Sequence, residues 1–313
     1  MSLISIVVPC YNEGEALPAF MEEVQRVKGL LPEDELEVIL VNDGSSDNTL
    51  EMMRRLAQQH RQVHYVSFSR NFGKESAMLA GLTRAKGDYV AVMDADLQDP
   101  PELLPQMLHI VREEGYDCAG TRRISREGEP PIRSLFARLF YWGINLISST
   151  KLVDGARDYK LLSRQVVQAL LAMPEYNRFS KGLYEWVGFR TKWLEYKNVE
   201  RVAGSTKWSF WKLFKYALEG ILSFTTVPLA LASLFGILFM GVAFVIIIAL
   251  CVRQLIWHSS MEGWTSMVSI ILFLSGVQLF CLGIFGQYQS RMYMEIKRRP
   301  HYIVAEESAE NAV

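Results

Sequence analysis

The chain has few cysteines, and nothing in their arrangement links them. Cys10, Cys118, Cys251 and Cys281 are scattered, with no C-x-x-C pair and no histidine at metal-ligand spacing. This pattern excludes a disulfide framework and a zinc site as the basis of the fold. Cys251 and Cys281 fall inside apolar segments, which is typical of small buried hydrophobic residues.

The sequence also lacks an excess of charge of either sign. Its 33 lysines and arginines nearly balance 34 aspartates and glutamates, which gives a formal net charge of -1 and a pI near 6.5. No global basic field is therefore present for nucleic acid. The dinucleotide fingerprint G-x-G-x-x-G is absent, which disfavours an ordinary dinucleotide cofactor. The amino terminus has no basic stretch and runs directly into an apolar strand pattern, so we expect no signal peptide.

Short apolar runs alternate with amphipathic stretches from the amino terminus to about residue 122. This alternation predicts βαβ units and an α/β domain over residues 1–200, with a mostly parallel sheet flanked by helices. The predicted strands are 4–8, 37–41, 63–68, 89–93 and 116–119. The predicted helices are 15–27, 47–59, 74–85 and 101–114.

The carboxyl-terminal third has a different composition. Hydrophobic residues make up 50% of the chain and the mean hydropathy is +0.09, which indicates a soluble part joined to a membrane part. Residues 228–252 contain no charged residue and are long enough to cross a ~30 Å hydrocarbon core. Residues 265–288 repeat this pattern. We predict a transmembrane hairpin over residues 226–290, with a short polar turn at 253–263.

The flanks of this hairpin predict its orientation. Basic residues cluster before the first span and after the second, whereas the connecting turn has Arg253 alone, so the domain and a tail at 291–313 are expected in the cytoplasm. Residues 208–218 place aromatic side chains on one helical face and lysines largely elsewhere. This pattern favours a helix lying in the headgroup layer, within a juxtamembrane segment at 201–225.

Residues 133–147 form an aromatic-rich amphipathic pattern that suits either a core helix or membrane contact. Arginines surround this pattern and favour an anion site that faces the membrane. They are Arg122, Arg126, Arg133 and Arg138.

Two aspartates follow the apolar run at 89–93. Asp94 and Asp96 are two positions apart, so on an extended chain their side chains point the same way. Because the carboxyl ends of strands are where open α/β sheets bind ligands, these acids suit a hard divalent cation that holds phosphates. A helix N-cap explains Asp99, which precedes two prolines, but it does not explain Asp94 and Asp96.

Polar residues also follow the first three predicted strands. Asn12 suits either a helix cap or a ligand contact. Asp43 lies where Rossmann-like sheets place an acid for ribose or base. Gly73 and Lys74 open a helix, which favours phosphate binding, although Lys74 could equally be a solvated surface lysine. We therefore expect these acids and amides at one edge of the sheet.

Four ordered motifs carry a family resemblance. They are Pro9 to Glu13, Asn42 to Thr49, Asn71 to Glu75 and Asp94 to Pro100. Together they resemble family 2 glycosyltransferases of the GT-A fold. With the hairpin, the chain resembles polyprenyl-phosphate glycosyltransferases, most closely the bacterial bactoprenol (undecaprenyl-phosphate) glucosyltransferases, and is similar to dolichyl-phosphate mannose synthases.

The resemblance implies roles for individual residues. It assigns the nucleotide sugar to Pro9, Tyr11, Asn12, Glu13, Asp43, Lys74, Asp94, Ala95 and Asp96. It assigns Mg²⁺ or Mn²⁺ to Asp94, Asp96 and Gln98. It assigns the phosphate of the acceptor lipid to Arg122, Arg126, Arg133, Arg178, Lys181, Arg201 and Lys207.

The resemblance also implies that Asp158 and Asp96 are catalytic. The family carries Gly-Asp-Phe-Arg where this chain has Arg157-Asp158-Tyr159-Lys160, so only the acid is kept. A phosphate monoester has a second pKa of about 6 and is largely ionised at neutral pH. We therefore expect Asp158 to orient the acceptor more than to remove a proton. The alternative is a structural pair with Arg157 or Lys160 across a strand.

The function implied is inverting transfer of one hexose to undecaprenyl phosphate, at the cytoplasmic face of the bacterial inner membrane. The product would be a polyprenyl-phosphate sugar for modification of cell-envelope glycans. The first choice of donor is UDP-glucose, and the alternatives are GDP-mannose, UDP-N-acetylglucosamine and a UDP-aminoarabinose derivative. The Gln-x-x-Arg-Trp motif of processive polysaccharide synthases is absent, which favours a single transfer.

Two alternatives belong to other functional classes. A non-catalytic membrane scaffold would be expected to have lost Asp94, Asp96 or the basic cluster, and all are present. A flippase or channel lacks a polar path, because the two spans carry no charge in their interiors. Glycines in the hairpin suit packing against further copies, so a homo-oligomer is possible.

Overall fold

The computed structural model describes residues 1–123, 155–196, 224–257 and 263–308, together with positions 143, 145, 146, 148 and 153. The described residues form two compact units. The first unit contains those up to residue 196 and those from residue 299 onward. The second contains two long apolar helices. The predicted interfacial helix at 208–218 and nearly all of the predicted helix at 133–147 lie outside the described residues.

The first unit is an α/β domain. Its strands are β1 Leu3–Cys10, β2 Glu35–Asn42, β3 Val63–Phe68, β4 Tyr89–Val92, β5 Cys118–Arg123, β6 Ala156–Ser163, β7 Thr191–Tyr196 and β8 Val304–Glu307. Its helices are α1 Leu17–Gly29, α2 Thr49–Gln59, α3 Lys74–Arg84, α4 Leu104–Glu113, α5 Arg164–Leu171 and α6 Ser180–Trp186, with a 3₁₀ turn at Pro101–Leu103.

The strands form one eight-stranded sheet in the order β7-β5-β6-β4-β1-β2-β3-β8. Within the described residues, four strand pairs are parallel and three are antiparallel. The predicted fold class, a mostly parallel sheet flanked by helices, is thus confirmed. The antiparallel pairs come from β6, between β4 and β5, and from β8 at one edge. Sequence patterning predicts neither strand.

The core forms where helices cover the sheet. From Ile4 onward β1 is buried throughout, as expected for a central strand covered on both faces. Helix α1 buries one stripe at helical spacing, formed by Leu17, Phe20, Met21, Val24 and Val27. Because β1, β2, β3 and β4 run parallel in the centre of the sheet, their carboxyl ends meet at a single edge.

The predicted tail at 291–313 begins later in the structure and includes a strand. The helix Trp264–Lys297 continues past position 291, and β8 then pairs antiparallel with β3. The pairing is supported by side chains, since Arg54 binds Glu306 and Arg84 binds Glu307. The acids of β8 thus meet partners that lie far away in the sequence.

The second unit holds helices α7 Val227–Trp257 and α8 Trp264–Lys297. Both are long and apolar enough to cross a membrane, because 18-residue stretches within Val227–Leu250 and Met267–Lys297 have mean hydropathies of 2.8 and 2.3. Phe239 and Phe273 make an edge contact between them, with ring centroids 5.6 Å apart. The polar turn, predicted at 253–263, begins later than predicted, because α7 continues as a helix to Trp257.

Candidate active site

The loops after β1 and β2 are joined by hydrogen bonds. Asn12, with φ +56°, donates its backbone N–H to Ser45 Oγ at 3.0 Å and accepts the Ser46 N–H on its side chain at 2.9 Å. Glu13 donates its N–H to Thr49 Oγ1 at 2.9 Å. The helix-cap interpretation of Asn12 is therefore wrong, because α1 begins only at Leu17 and Asn12 instead holds the neighbouring loop.

Asp43 joins the loop after β2 to the loop after β3. It is buried, and its carboxylate accepts the Phe72 N–H at 2.6 Å and the Gly73 N–H at 2.9 Å. Burial raises the pKa of Asp43, although these two amides oppose the rise. Gly44 makes the approach possible: its φ is +64°, and a Cβ there would lie 2.3 Å from the Arg70 carbonyl carbon.

The centre of the site is a lysine shared by two aspartates. Lys74 Nζ lies 2.7 Å from Asp94 Oδ1 and 2.5 Å from Asp158 Oδ2. The antiparallel register of β6 explains the meeting, because Val92 opposes Lys160 and two further steps bring position 94 opposite position 158. Lys74 is thus an ion-paired member of this cluster, and its side chain is also 40% exposed, so its role in phosphate binding stays a prediction.

The charges of this cluster act on one another. Burial raises the pKa of Asp94, and the charge of Lys74 only partly offsets it. Burial would also raise the pKa of Asp158, but the Lys74 and Lys181 charges outweigh it and hold that pKa well below its usual range. Asp158 pairs with these two lysines, whereas the structural alternative had paired it with Arg157 or Lys160.

Glu75 ties this cluster to helix α6. Its carboxylate accepts the Ser180 N–H at 3.0 Å and also the Ser180 hydroxyl. The next residue, Lys181, donates to the Ala156 carbonyl at 3.1 Å and lies 3.9 Å from Asp158 Oδ1. Burial raises the pKa of Glu75 to about 7, against the effect of the Ser180 hydrogen bonds. Sequence reasoning missed Glu75 as a site residue.

The turn after Asp94 is tight. Ala95 and Asp96 are buried, and Asp96 Oδ1 accepts the Gln98 N–H at 3.1 Å. Leu97, between Asp96 and Gln98, has φ +56°, a left-handed conformation that costs a non-glycine residue roughly 1 kcal/mol. Its side chain packs against the hydrophobic core, which holds the turn in place.

Asp99 forms a buried ion pair that the sequence did not reveal. Its side chain is 1% exposed, Arg157 Nε lies 2.8 Å from Oδ1, and the Tyr196 hydroxyl donates to the same oxygen. The N-cap interpretation of Asp99 is therefore wrong, because Pro100 precedes the 3₁₀ turn and no side chain caps it. Arg157 and Asp99 are 58 positions apart, so no local pattern links them.

The other predicted site residues occupy varied positions. Pro9 lies in β1 opposite Val41, and Tyr11 is 45% exposed just beyond the strand. Arg122 pairs with Glu195. Arg178 donates to the Leu170 carbonyl in the last turn of helix α5 and to the Met173 carbonyl just beyond it, and its acceptor role stays a prediction. Four predicted acceptor residues lie outside the described residues: Arg126, Arg133, Arg201 and Lys207.

Comparisons with known proteins identify the family. Glycosyl transferase family 2 matches residues 5–171, more than half of the chain. The chain belongs to this family. It is therefore a glycosyltransferase, as the motifs predict.

Relatives match this glycosyltransferase over nearly its whole length. Putative glycosyltransferase CsbB of Bacillus subtilis (strain 168) is 45% identical over 309 residues, covering 99% of this chain and 93% of its own length. The SfII prophage-derived bactoprenol glucosyl transferase of Shigella flexneri is 40% identical over 301 residues, covering 96% and 97%. One solved structure with a similar fold is glucosyl-3-phosphoglycerate synthase from Mycobacterium tuberculosis, in complex with Mn2+, UDP-glucose and phosphoglyceric acid. It is 20% identical to this chain, with a TM-score of 0.46, and the match covers 71% of this chain and 78% of that one.

The site suits a hard cation in its chemistry. Among the described residues, no three His, Cys, Asp or Glu side chains are gathered as a metal centre. Asp94 and Asp158 nevertheless converge on one ammonium, so this point is lined by carboxylate oxygens and accepts positive charge. Such oxygens are the ligands that Mg²⁺ and Mn²⁺ prefer. Binding by Asp94, Asp96 and Gln98 stays a prediction.

Proposed function

We propose that this family 2 glycosyltransferase moves one hexose from a nucleotide diphosphate sugar to undecaprenyl phosphate. Glucose from UDP-glucose is the first choice. The observation that carries the proposal is the convergence of Asp94 and Asp158 on Lys74, at the edge where the strand-end loops meet. The name of the Shigella flexneri relative, a bactoprenol glucosyl transferase matched along 96% of this chain, supports the choice of acceptor and sugar.

The donor binds at the carboxyl ends of β1, β2 and β4. Asn12 and Asp43 hold the loops after β1, β2 and β3 together, and these loops surround the base and ribose near Pro9, Tyr11 and Glu13. Asp94, Asp96 and Gln98 would hold Mg²⁺ or Mn²⁺, and the ion would supply Lewis-acid stabilisation of the leaving diphosphate. Asp96 and Gln98 belong to one tight turn, which the left-handed Leu97 and the Gln98 N–H bond to Asp96 define.

The transfer itself needs little proton movement. An oxygen of the lipid phosphate attacks the anomeric carbon, the bond from that carbon to the nucleoside diphosphate breaks, and the configuration inverts from α to β. Because the phosphate is already ionised at neutral pH, Asp158 acts mainly by holding Lys74 and Lys181 in place. The Lys181 ammonium attracts the acceptor phosphate, and the Lys74 ammonium attracts the diphosphate of the donor.

The two apolar helices are compatible with membrane association, which an enzyme acting on a lipid phosphate would need. We propose that they form a hairpin in the bacterial inner membrane and leave the glycosyltransferase domain in the cytoplasm, where nucleotide sugars are made. The charge distribution along the sequence supports this orientation, since the flanks of the hairpin are basic. The product would serve the modification of cell-envelope glycans.

A donor panel tests the proposal. Purified full-length protein in detergent is given undecaprenyl phosphate, Mn²⁺ and labelled UDP-glucose, GDP-mannose, UDP-N-acetylglucosamine or a UDP-aminoarabinose derivative. We expect label in the organic phase with UDP-glucose, and its loss when EDTA replaces the metal. Label with another donor would correct the sugar. No product with any donor would refute the enzyme and favour a non-catalytic scaffold.

A further inference from the structure

The carboxyl-terminal strand is firmly held on the sheet. Arg54 reaches both carboxylate oxygens of Glu306, with Nε at 2.8 Å and Nη2 at 2.5 Å, and the Tyr65 hydroxyl donates to the same acid at 2.7 Å. The Ser308 N–H donates to the Tyr65 carbonyl at 2.9 Å. This segment is therefore an integral part of the domain, and its position constrains whatever packs beside it.

The residues just before β8 touch the end of β3. The Tyr302 ring stacks on Phe68, with centroids 4.8 Å apart and planes at 14°. The Ser69 N–H donates to the Ile303 carbonyl at 3.0 Å. Phe68 in turn meets Phe72 edge-on, with centroids 5.8 Å apart. Three aromatic rings thus run from the tail to the loop after β3.

That loop is the one that binds Asp43. Phe72 and Gly73 donate their backbone N–H groups to its carboxylate, and the Arg70 guanidinium lies 4.1 Å from the centre of the Phe72 ring. A shift of Phe72 would move both amides away from Asp43. Lys74 follows directly and carries the shift to the two aspartates.

We propose that Tyr302 is a positioning residue for the donor side of the site. By supporting Phe68, and through it Phe72, it keeps the loop amides on Asp43. The effect of Tyr302 on the affinity for the sugar nucleotide rests on the proposed function. The effect of Tyr302 on the loop at 70–74 depends only on the contacts among the three aromatic rings. The rival explanation is that Tyr302 merely stabilises the strand, for which its hydroxyl offers Arg84 a contact at 3.4 Å.

The variants separate these explanations. Tyr302→Ala removes the stack, Tyr302→Phe keeps the ring but loses the hydroxyl, and Tyr302→Leu keeps apolar bulk where alanine lowers the yield of folded protein. Glu307→Gln is the matched control: it weakens the ion pair of β8 with Arg84, which also contacts Tyr302, and it keeps all three aromatic rings. All are made in the full-length protein in detergent.

Hydrogen exchange of the peptide that spans 70–74 is the first readout, because it requires no turnover. We expect exchange at least about 10-fold faster in Tyr302→Ala, a smaller increase in Tyr302→Leu, and wild-type exchange in Tyr302→Phe and Glu307→Gln. In the transfer assay, Tyr302→Ala should raise KM for the sugar nucleotide several-fold, with kcat and KM for undecaprenyl phosphate within about twofold.

Each result has a definite meaning. Unchanged exchange in Tyr302→Ala and Tyr302→Leu would overturn the proposal, as would an equal increase in Glu307→Gln. Faster exchange combined with an unchanged KM would refute the link to the donor. An inactive wild type would refute the proposed function and leave the exchange result to decide the positioning role.

Discussion

Lys74 Nζ lies 2.5 Å from Asp158 Oδ2, so residues from helix α3 and strand β6 share one charge cluster. The same ammonium binds Asp94 beyond the end of β4. A carboxylate held ionised by two lysines accepts a proton poorly, because its pKa lies well below the usual range. The geometry thus favours a positioning role for Asp158 over a role as general base.

Replacing Asp158 by asparagine tests this role. Asp158→Asn leaves Lys74 and Lys181 without their shared carboxylate, so we expect transfer to fall by roughly 100-fold, as misplaced reacting groups commonly cause. The loss should be constant from pH 6.5 to 9, measured as initial rates against wild type. Glu51→Gln, on the exposed face of α2, is the control. Activity restored at high pH would instead identify Asp158 as the base.

Glu75 predicts a dependence of stability on pH. Its pKa is about 7 in the folded protein and near 4.5 when unfolded, so the folded state binds the proton more tightly and this group costs stability as pH rises from about 4.5 to 7. Glu75→Gln removes that cost. Its melting temperature relative to wild type should therefore rise between pH 5 and pH 8, by an amount equivalent to about 1–2 kcal/mol after allowance for partial exposure. A difference that is constant with pH would contradict the assignment.

The close contact between Gly44 and the loop after β3 can be tested against Gly115, which has a similar backbone conformation but no close contact. A Cβ at Gly44 would lie 2.3 Å from the Arg70 carbonyl carbon, whereas Gly115, with a similar φ of +71°, has nothing within 4 Å of a Cβ. Gly44→Ala and Gly115→Ala should thus share a backbone cost of about 1 kcal/mol. Only Gly44→Ala should also weaken binding of the sugar nucleotide, by roughly 10-fold in calorimetry. Equal affinities in the two variants would remove the loop contact from the account.

The buried pair of Asp99 and Arg157 predicts a large effect on stability. Arg157→Met leaves Asp99, 1% exposed, without its cation, and we expect a loss of about 3 kcal/mol in the free energy of unfolding. Arg122→Met breaks an exposed pair and should cost less than about 1 kcal/mol. Chemical denaturation in detergent measures both. If the two losses were similar, the buried pair would not be a main support of the site.

The sequence predicted the elements whose signal is local. Strands β1 to β5 come from short apolar runs, and helices α1 to α4 from amphipathic spacing, so pattern alone located them. Strand β6 mixes charged and apolar residues, and β8 carries two acids. The acids of β8 bind distant partners: Arg54 is 252 positions from Glu306, and Arg84 is 223 from Glu307.

The same limit applies to the site. The motif of Asp94 and Asp96 could be recognised from two neighbouring acids, but its meeting with Asp158 follows from the register of an antiparallel strand that no local pattern revealed. Asn12 and Asp99 both matched a local cap, and both bind distant partners, Ser46 and Arg157. In each case the side chain binds a residue distant in the sequence and does not cap the helix that follows it.

The central claim is the transfer of a single hexose onto a lipid phosphate by the acids at the end of β4. Mass spectrometry of the lipid made from undecaprenyl phosphate and UDP-glucose tests it most directly, with Asp96→Asn beside wild type. We predict a lipid with one phosphate and one hexose from wild type and none from Asp96→Asn. A diphosphate-linked sugar, a polymer, or the same product from Asp96→Asn would contradict the account.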